Sequence, residues 1–204
     1  MFLLLMLGSG VGFRVMPEDV QNLPKFRTDI DIYNEFYTPK SKQEREEFTN
    51  LNFDGENFVE IIVGDSKEGW IEALEYYLKI LTSFEYRPIQ KVLFNYNNVR
   101  PRGEKLETFG GTASGPQSLE RMFVKINNLL KDKRDRKGDS KWTKLKPIDA
   151  MDIANIIAEN VVSGGVRRSS QICLFAEGDE QITKAKNNLY IQKNGEWQAN
   201  EKVA

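Results

Sequence analysis

Alternation is the feature that most limits how this chain can fold. The stretch "NFVEIIVG" at 57–64 is rich in β-branched and aromatic residues and reads as a strand. A helical pattern follows it, capped by Asp65 or Ser66 and running to about Phe84, with Trp70, Leu74, Tyr77, Leu78 and Leu81 as its apolar stripe. "KVLFNY" at 91–96 is a second strand, and a second helix starts near Pro116 with Leu119, Met122, Phe123, Ile126, Leu129 and Leu130 on one face. A third helix opens at Pro147, places Asp149 and Asp152 in its first turn, buries Met151, Ala154, Ile157, Ala158 and Val161, and ends at Gly164 and Gly165. "VRRSSQICLF" then alternates as a strand, with Val166, Arg168, Ser170, Ile172 and Leu174 on one face. Strands alternating with helices specify an α/β architecture.

The remaining segments are less patterned. Residues 17–56 are polar and read as surface loops or an insertion with short helical turns, and the tail after Ala176 closes no identifiable element. The run Phe2–Leu7 has no early Lys or Arg for a signal peptide and is far short of the about 20 residues that span a bilayer. It reads as a buried helix end or strand leading into a glycine turn, Gly8-Ser9-Gly10-Val11-Gly12.

Composition narrows the chemistry. The chain has no histidine, which removes a Ser-His-Asp triad and any His-ligated metal from these residues. Cys173 is the single cysteine, so no internal disulfide forms, and the expected compartment is the cytoplasm. We read it as a small buried or edge residue. A net charge of −1 carries no footprint for direct nucleic-acid binding, and the basic run "KDKRDRKGDSK" at 131–141 is interleaved with aspartate as in a solvated loop. No membrane partner and no metal site are expected.

One junction stands out as a ligand candidate. Gly110, Gly111, Ala113 and Gly115 lie directly before the second helix, with Ser114 or Gly115 as N-cap and Pro116 as first helical residue. The first N–H groups of a helix are unpaired and carry partial positive charge, so such a junction suits an anion. A plain loop-to-helix transition would look the same.

Four blocks, "LGSGVGF", "GDSKEGW", "NVRPRGEKLETFGGTASGP" and "AENVVSGGVRRSSQI", together and in this order resemble the monomeric class II, adenosylcobalamin-dependent ribonucleoside-triphosphate reductases. The resemblance covers nearly all of residues 1–190. It implies part of a ten-stranded α/β barrel that reduces ribonucleoside triphosphates to deoxyribonucleotides. In that family the cobalt–carbon bond of the cofactor breaks homolytically and a cysteine thiyl radical attacks the ribose.

By the same resemblance, Gly8, Ser9, Gly10 and Gly12 are substrate-proximal. Gly110, Gly111, Thr112, Ser114 and Gly115 match the first specificity-effector loop, and Ser163, Gly164, Gly165, Arg167 and Arg168 the second. The effector would be a deoxynucleoside triphosphate or ATP. Segment 14–100 would include an effector-side insertion, and 101–175 the effector and substrate loops. The family's Asn-Pro-Cys-Gly-Glu-like block has no counterpart here, so no catalytic residue is assigned. The expectation is one piece of a split reductase. Its partners would be the remaining segments, which bind most of the adenosylcobalamin, together with ribonucleotide substrate and a thioredoxin-type reductant. The alternative is a non-catalytic nucleotide-binding or regulatory protein derived from such an enzyme.

Overall fold

The computed structural model describes residues 1–106, 111–134, 140–163, 169–185, 187, 190–193 and 195–199. Its centre is a four-stranded mixed sheet built from β3 (Asp31–Asn34), β4 (Asn50–Asp54), β5 (Phe58–Ile62) and β6 (Lys91–Asn95), in the order β3-β6-β5-β4. β4 and β5 form an antiparallel hairpin that turns at Gly55, whose φ of +70° is a backbone conformation glycine adopts without strain. β5 connects to its parallel neighbour β6 through α3 (Lys67–Thr82), and β3 pairs parallel with β6 on the other side.

α3 starts where its sequence says it should: the Ser66 hydroxyl accepts from the Gly69 N–H at 2.8 Å. The helix stops at Thr82, and a separate 3₁₀ turn, Phe84–Tyr86, completes the expected span. α4 (Gln117–Asp132) packs beside it. Val59, Ile61, Val92 and Phe94 of the sheet meet Tyr77, Ile80 and Leu81 of α3 and Leu119, Phe123 and Ile126 of α4 in one core. Leu74, Tyr77 and Leu81 of the expected α3 stripe are buried, while Trp70 and Leu78 sit at its margin. Pro116 is the N-cap of α4, not its first residue, and Gly115 before it has a φ of +73°.

α5 (Pro147–Ser163) lies antiparallel to α4. Lys133 reaches Asp149 at 2.6 Å at one end, and Lys125 reaches Glu159 at 2.7 Å further along. α1 (Phe2–Met6) packs on α3 and α5 through Phe2 and Leu5. β1 (Gly10–Arg14) and β8 (Ser170–Leu174) then form a two-stranded parallel sheet.

Three sequence readings are corrected here. Gly10 and Gly12 do not belong to a turn: only Gly8, with a φ of +80°, turns the chain, and both later glycines are strand residues of β1. Parallel pairing to a strand far away in sequence is what extends them, and no local pattern encodes that. Residues 17–56 are not loop alone, since α2 (Pro17–Gln21), β2 (Phe26–Arg27), β3 and β4 all lie there. The tail likewise forms α6 (Glu180–Lys184) and an antiparallel hairpin of β9 (Tyr190–Lys193) and β10 (Glu196–Ala199). The described strands form four separate sheets, and none closes into a barrel.

A buried ion pair secures the entry to the central sheet. Arg27, 3% exposed, donates to both carboxylate oxygens of Asp29 at 2.9 and 3.0 Å and to the carbonyls of Tyr86, Arg87 and Ile89. It also lies near the ring of Trp142 in β7 (Trp142–Thr143), which pairs with β2. Burial by itself would raise the Asp29 carboxyl. The Arg27 fork, helped by Lys141 at 3.4 Å, outweighs it and holds Asp29 below the usual carboxylate value.

Because the folded value is depressed, this pair stabilises fully above the ordinary carboxylate pKa of 3.8 and is lost as pH falls through the folded value. Arg27→Met is expected to destabilise by about 3 kcal/mol at neutral pH, because it leaves a buried carboxylate with only the exposed Lys141 as partner. Urea titrations at neutral pH and below pH 4 should show the gap between variant and wild type narrowing in acid.

Candidate functional site

Two glycine-bearing regions emerge from this fold. The first is the β1–β8 pair. Gly10, Gly12 and Arg14 share one face with Ser170, Ile172 and Leu174, in the register Gly10–Ser170, Gly12–Ile172 and Arg14–Leu174. That face is open: Ile172 is 65% and Leu174 59% exposed. The opposite face carries Val11, Phe13, Gln171 and Cys173 and turns toward the helices. A Cβ on Gly10 would sit 3.3 Å from the Ser170 hydroxyl, and one on Gly12 3.9 Å from Ile172. The glycines therefore strip side chains from a floor that would otherwise be covered. Cys173 points away from this floor, and burial pushes its thiol up, away from the reactive thiolate.

The second region is the end of the α4–α5 pair. Antiparallel packing puts the start of α4, which follows the 101–116 loop, beside the end of α5, which leads into the second glycine segment. The two loops singled out from the sequence are thus attached to the same end of one helix pair. Gly111, Thr112, Ser114 and Gly115 are in the described part. Ser163 is the last residue of α5, and Gly110, Gly164, Gly165, Arg167 and Arg168 lie outside the described residues.

Between the helices is a narrow cleft with room for about one water, lined by Ser118, Arg121, Met122 and Lys125 of α4 and by Ile156, Glu159 and Asn160 of α5. Asn160 is 3% exposed, yet among the described residues neither its amide nitrogen nor its carbonyl oxygen has a partner, and the Ser118 hydroxyl is equally unpaired there. Buried polar groups are nearly always hydrogen-bonded, and leaving one unmade costs about 1–3 kcal/mol. The N-cap Pro116 supplies no side-chain cap to the first N–H groups of α4. Glycine clustering marks this end in the sequence. It misses Asn160, which reads as one more polar residue on a helix until α4 covers it.

No helix among the described residues is long and apolar enough to cross a membrane, and none of their acidic, histidine or cysteine side chains cluster in a way that could hold a metal ion.

The fold is that of an α/β chain whose parallel pair, β1–β8, is open on its glycine-bearing face. Residues 31–130, from β3 nearly to the end of α4, match the insertion domain of B12-dependent ribonucleotide reductase. Over 98% of its length the chain is 32% identical to an adenosylcobalamin-dependent ribonucleoside-triphosphate reductase of Lactobacillus acidophilus. Over its whole length it is 31% identical to one of Lacticaseibacillus paracasei. A crystal structure of a B12-dependent, class II ribonucleotide reductase superposes on 92% of the chain with a TM-score of 0.69 and 26% identity. The chain spans about a quarter of these relatives, 27% of the first and 28% of the second. It belongs to the class II, adenosylcobalamin-dependent ribonucleotide reductase family.

Proposed function

We propose that this chain is a component of a class II ribonucleotide reductase, which reduces ribonucleoside triphosphates to 2′-deoxyribonucleotides once joined by the remaining segments of the enzyme. The observation that carries this reading is the β1–β8 pair. Its apolar outer face and unpaired strand edges are unfavourable in water and are satisfied when further strands add to them. In the ten-stranded barrel that results, the Gly8–Gly12 segment faces the substrate nucleotide. The α4–α5 end carries both specificity loops, and a deoxynucleoside triphosphate or ATP effector docks there. The insertion, matched over residues 31–130, lies on the effector side and reaches beyond the expected 14–100 segment into α4.

Adenosylcobalamin supplies homolytic radical chemistry to such an enzyme. The described residues do not fit a role in that step. Cys173 is turned away from the glycine floor, and no other thiol exists in the sequence. The radical cysteine, most of the cofactor site and the contact with a thioredoxin-type reductant therefore fall to the other segments. This chain contributes the floor for substrate and the seat for effector.

Isolation of the chain from its host under native conditions, with intact masses of everything that accompanies it, tests the proposal. Co-purification with polypeptides carrying the radical-cysteine block, or recovery of its peptides within a longer spliced product, is the expected result. A stable, solitary 204-residue monomer would sink it.

Such a monomer would favour the second reading, a non-catalytic nucleotide-binding protein, for which the continuous core of the central sheet, α3 and α4 is the supporting observation. The cleft yields a further prediction common to both readings. Asn160→Leu removes two orphaned polar atoms and is expected to raise stability by about 1 kcal/mol. It should also weaken deoxynucleotide binding at the α4–α5 end. Thermal melts paired with nucleotide titration by calorimetry check both halves.

A further inference from the structure

The loop that leads into α4 is held by a short stem. The Gly103 N–H donates to the Ala113 carbonyl at 2.9 Å, the Ala113 N–H to the Glu104 carbonyl at 2.8 Å, and the Leu106 N–H to the Gly111 carbonyl at 3.0 Å. Lys105 and Thr112 pair antiparallel between them. Three such bonds cannot keep a stem in place alone, because an isolated two-stranded hairpin is marginal in water.

A pair of arginines and a pair of carboxylates anchor it to residues 40–47 and to the start of α3, all within the matched insertion domain. Arg45 grips Glu104 with both terminal nitrogens, at 2.7 and 2.8 Å, and donates its Nε to the Lys40 carbonyl at 3.0 Å. Its Nη1 is also 3.6 Å from Asp65. Asp65 in turn accepts from the backbone N–H of Arg100 at 3.0 Å and from its Nε at 2.9 Å, while its own carbonyl accepts from Arg100 Nη2 at 3.1 Å. The Arg45 side chain is almost fully covered. Three segments converge on this network: residues 40–47, the lead-in to α3, and the 100–104 arm of the stem. A planar guanidinium that satisfies a carboxylate with two parallel bonds fixes orientation as well as distance, which a lysine cannot do.

We propose that Arg45 is a positioning residue. Acting through Glu104, it sets where the stem presents Gly111, Thr112 and Ser114 beside the α4–α5 end, so the 40–47 segment controls the geometry of the nucleotide contact. The ligand in this statement rests on the effector-site reading above; the mechanical link rests on the stem and the network.

Hydrogen exchange on the full chain separates the two. Arg45→Lys keeps the charge and loses the fork, and Glu104→Gln keeps the shape and loses the charge. Each is expected to speed exchange at the Gly103, Leu106 and Ala113 amides about tenfold, by favouring local opening, while β5 and β6 amides keep wild-type rates. Titration with 2′-deoxyadenosine triphosphate should show affinity at least about fivefold weaker in both variants, a loss of the size coupling energies commonly reach.

Unchanged exchange at the three amides in both variants overturns the positioning role. So does faster exchange with nucleotide affinity as in wild type. If wild type itself binds no deoxynucleotide, the effector-site reading fails, and the exchange data still decide whether Arg45 holds the stem. Two variants at different residues guard against one of them failing to fold.

Discussion

Replacing Phe123 with alanine is expected to lower the unfolding free energy by about 3–5 kcal/mol, the range for deleting a fully buried aromatic ring. Phe123 is the point at which α4 meets both the sheet and α3. Its ring stacks on Phe94 of β6 at 4.1 Å between centroids and meets Tyr77 of α3 edge-on at 5.4 Å. Phe94 and Tyr77 are themselves in contact at 5.5 Å, so removing one ring of three leaves a void that the other two cannot both fill. The Tyr77 hydroxyl bonds Asn127 of α4 at 3.1 Å, and burial pushes its pKa far above the usual phenol value, which keeps it a donor. Tyr77→Phe keeps the ring and should cost less, about 1–3 kcal/mol, because it leaves the buried Asn127 carbonyl oxygen without its donor. Urea unfolding followed by circular dichroism distinguishes the two. A Phe123→Ala variant within about 1 kcal/mol of wild type would mean that α4 is not docked through this cluster, against the cavity cost expected there.

The second large effect is at Gly64, between β5 and α3. A Cβ there would lie 2.3 Å from the Glu47 carbonyl oxygen and 2.6 Å from the Phe48 carbonyl carbon. Both are backbone atoms and cannot rotate aside. The close approach is sealed by Thr49, whose hydroxyl accepts from the Gly64 N–H at 3.0 Å and donates to the Gly69 carbonyl at 2.6 Å. The Asp65 N–H adds a bond to the Glu46 carbonyl at 2.8 Å. Gly64→Ala must push residues 46–49 off the start of α3, at the upper end of overpacking costs, about 3 kcal/mol or more. Because Arg45 directly precedes the displaced residues, the same variant should loosen the 103–113 stem. A fully wild-type melting curve for Gly64→Ala would refute the close approach.

How much was legible in the sequence differs element by element. β5, α3, β6, α4 and α5 were readable because each carries a complete local signal: a β-branched run, an apolar stripe at helical spacing, or a cap such as Ser66. β4 had a signal that went unused. Asp54-Gly55 between two strand-like runs marks a hairpin, and the polar residues around it obscured the pattern. β3 is an edge strand with three exposed residues out of four, and edge strands need no alternating apolar face. At the candidate site, the glycines were visible because glycine is unusual wherever it clusters. Asn160, Ser118 and Arg45 were invisible because their roles come from what covers or faces them.

The amino-acid sequence by itself determined the α/β class, the central helices and strands, the absence of histidine chemistry and the kinship to class II reductases, since each rests on residue types and short-range spacing. Tertiary structure alone decided three things. It paired β1 with β8, turned Ile172 and Leu174 outward, and brought the start of α4 against the end of α5. The physical reason is one of range: helix periodicity and capping are set by neighbours within a turn, whereas strand pairing and the burial of one polar amide depend on segments that meet only when the core closes.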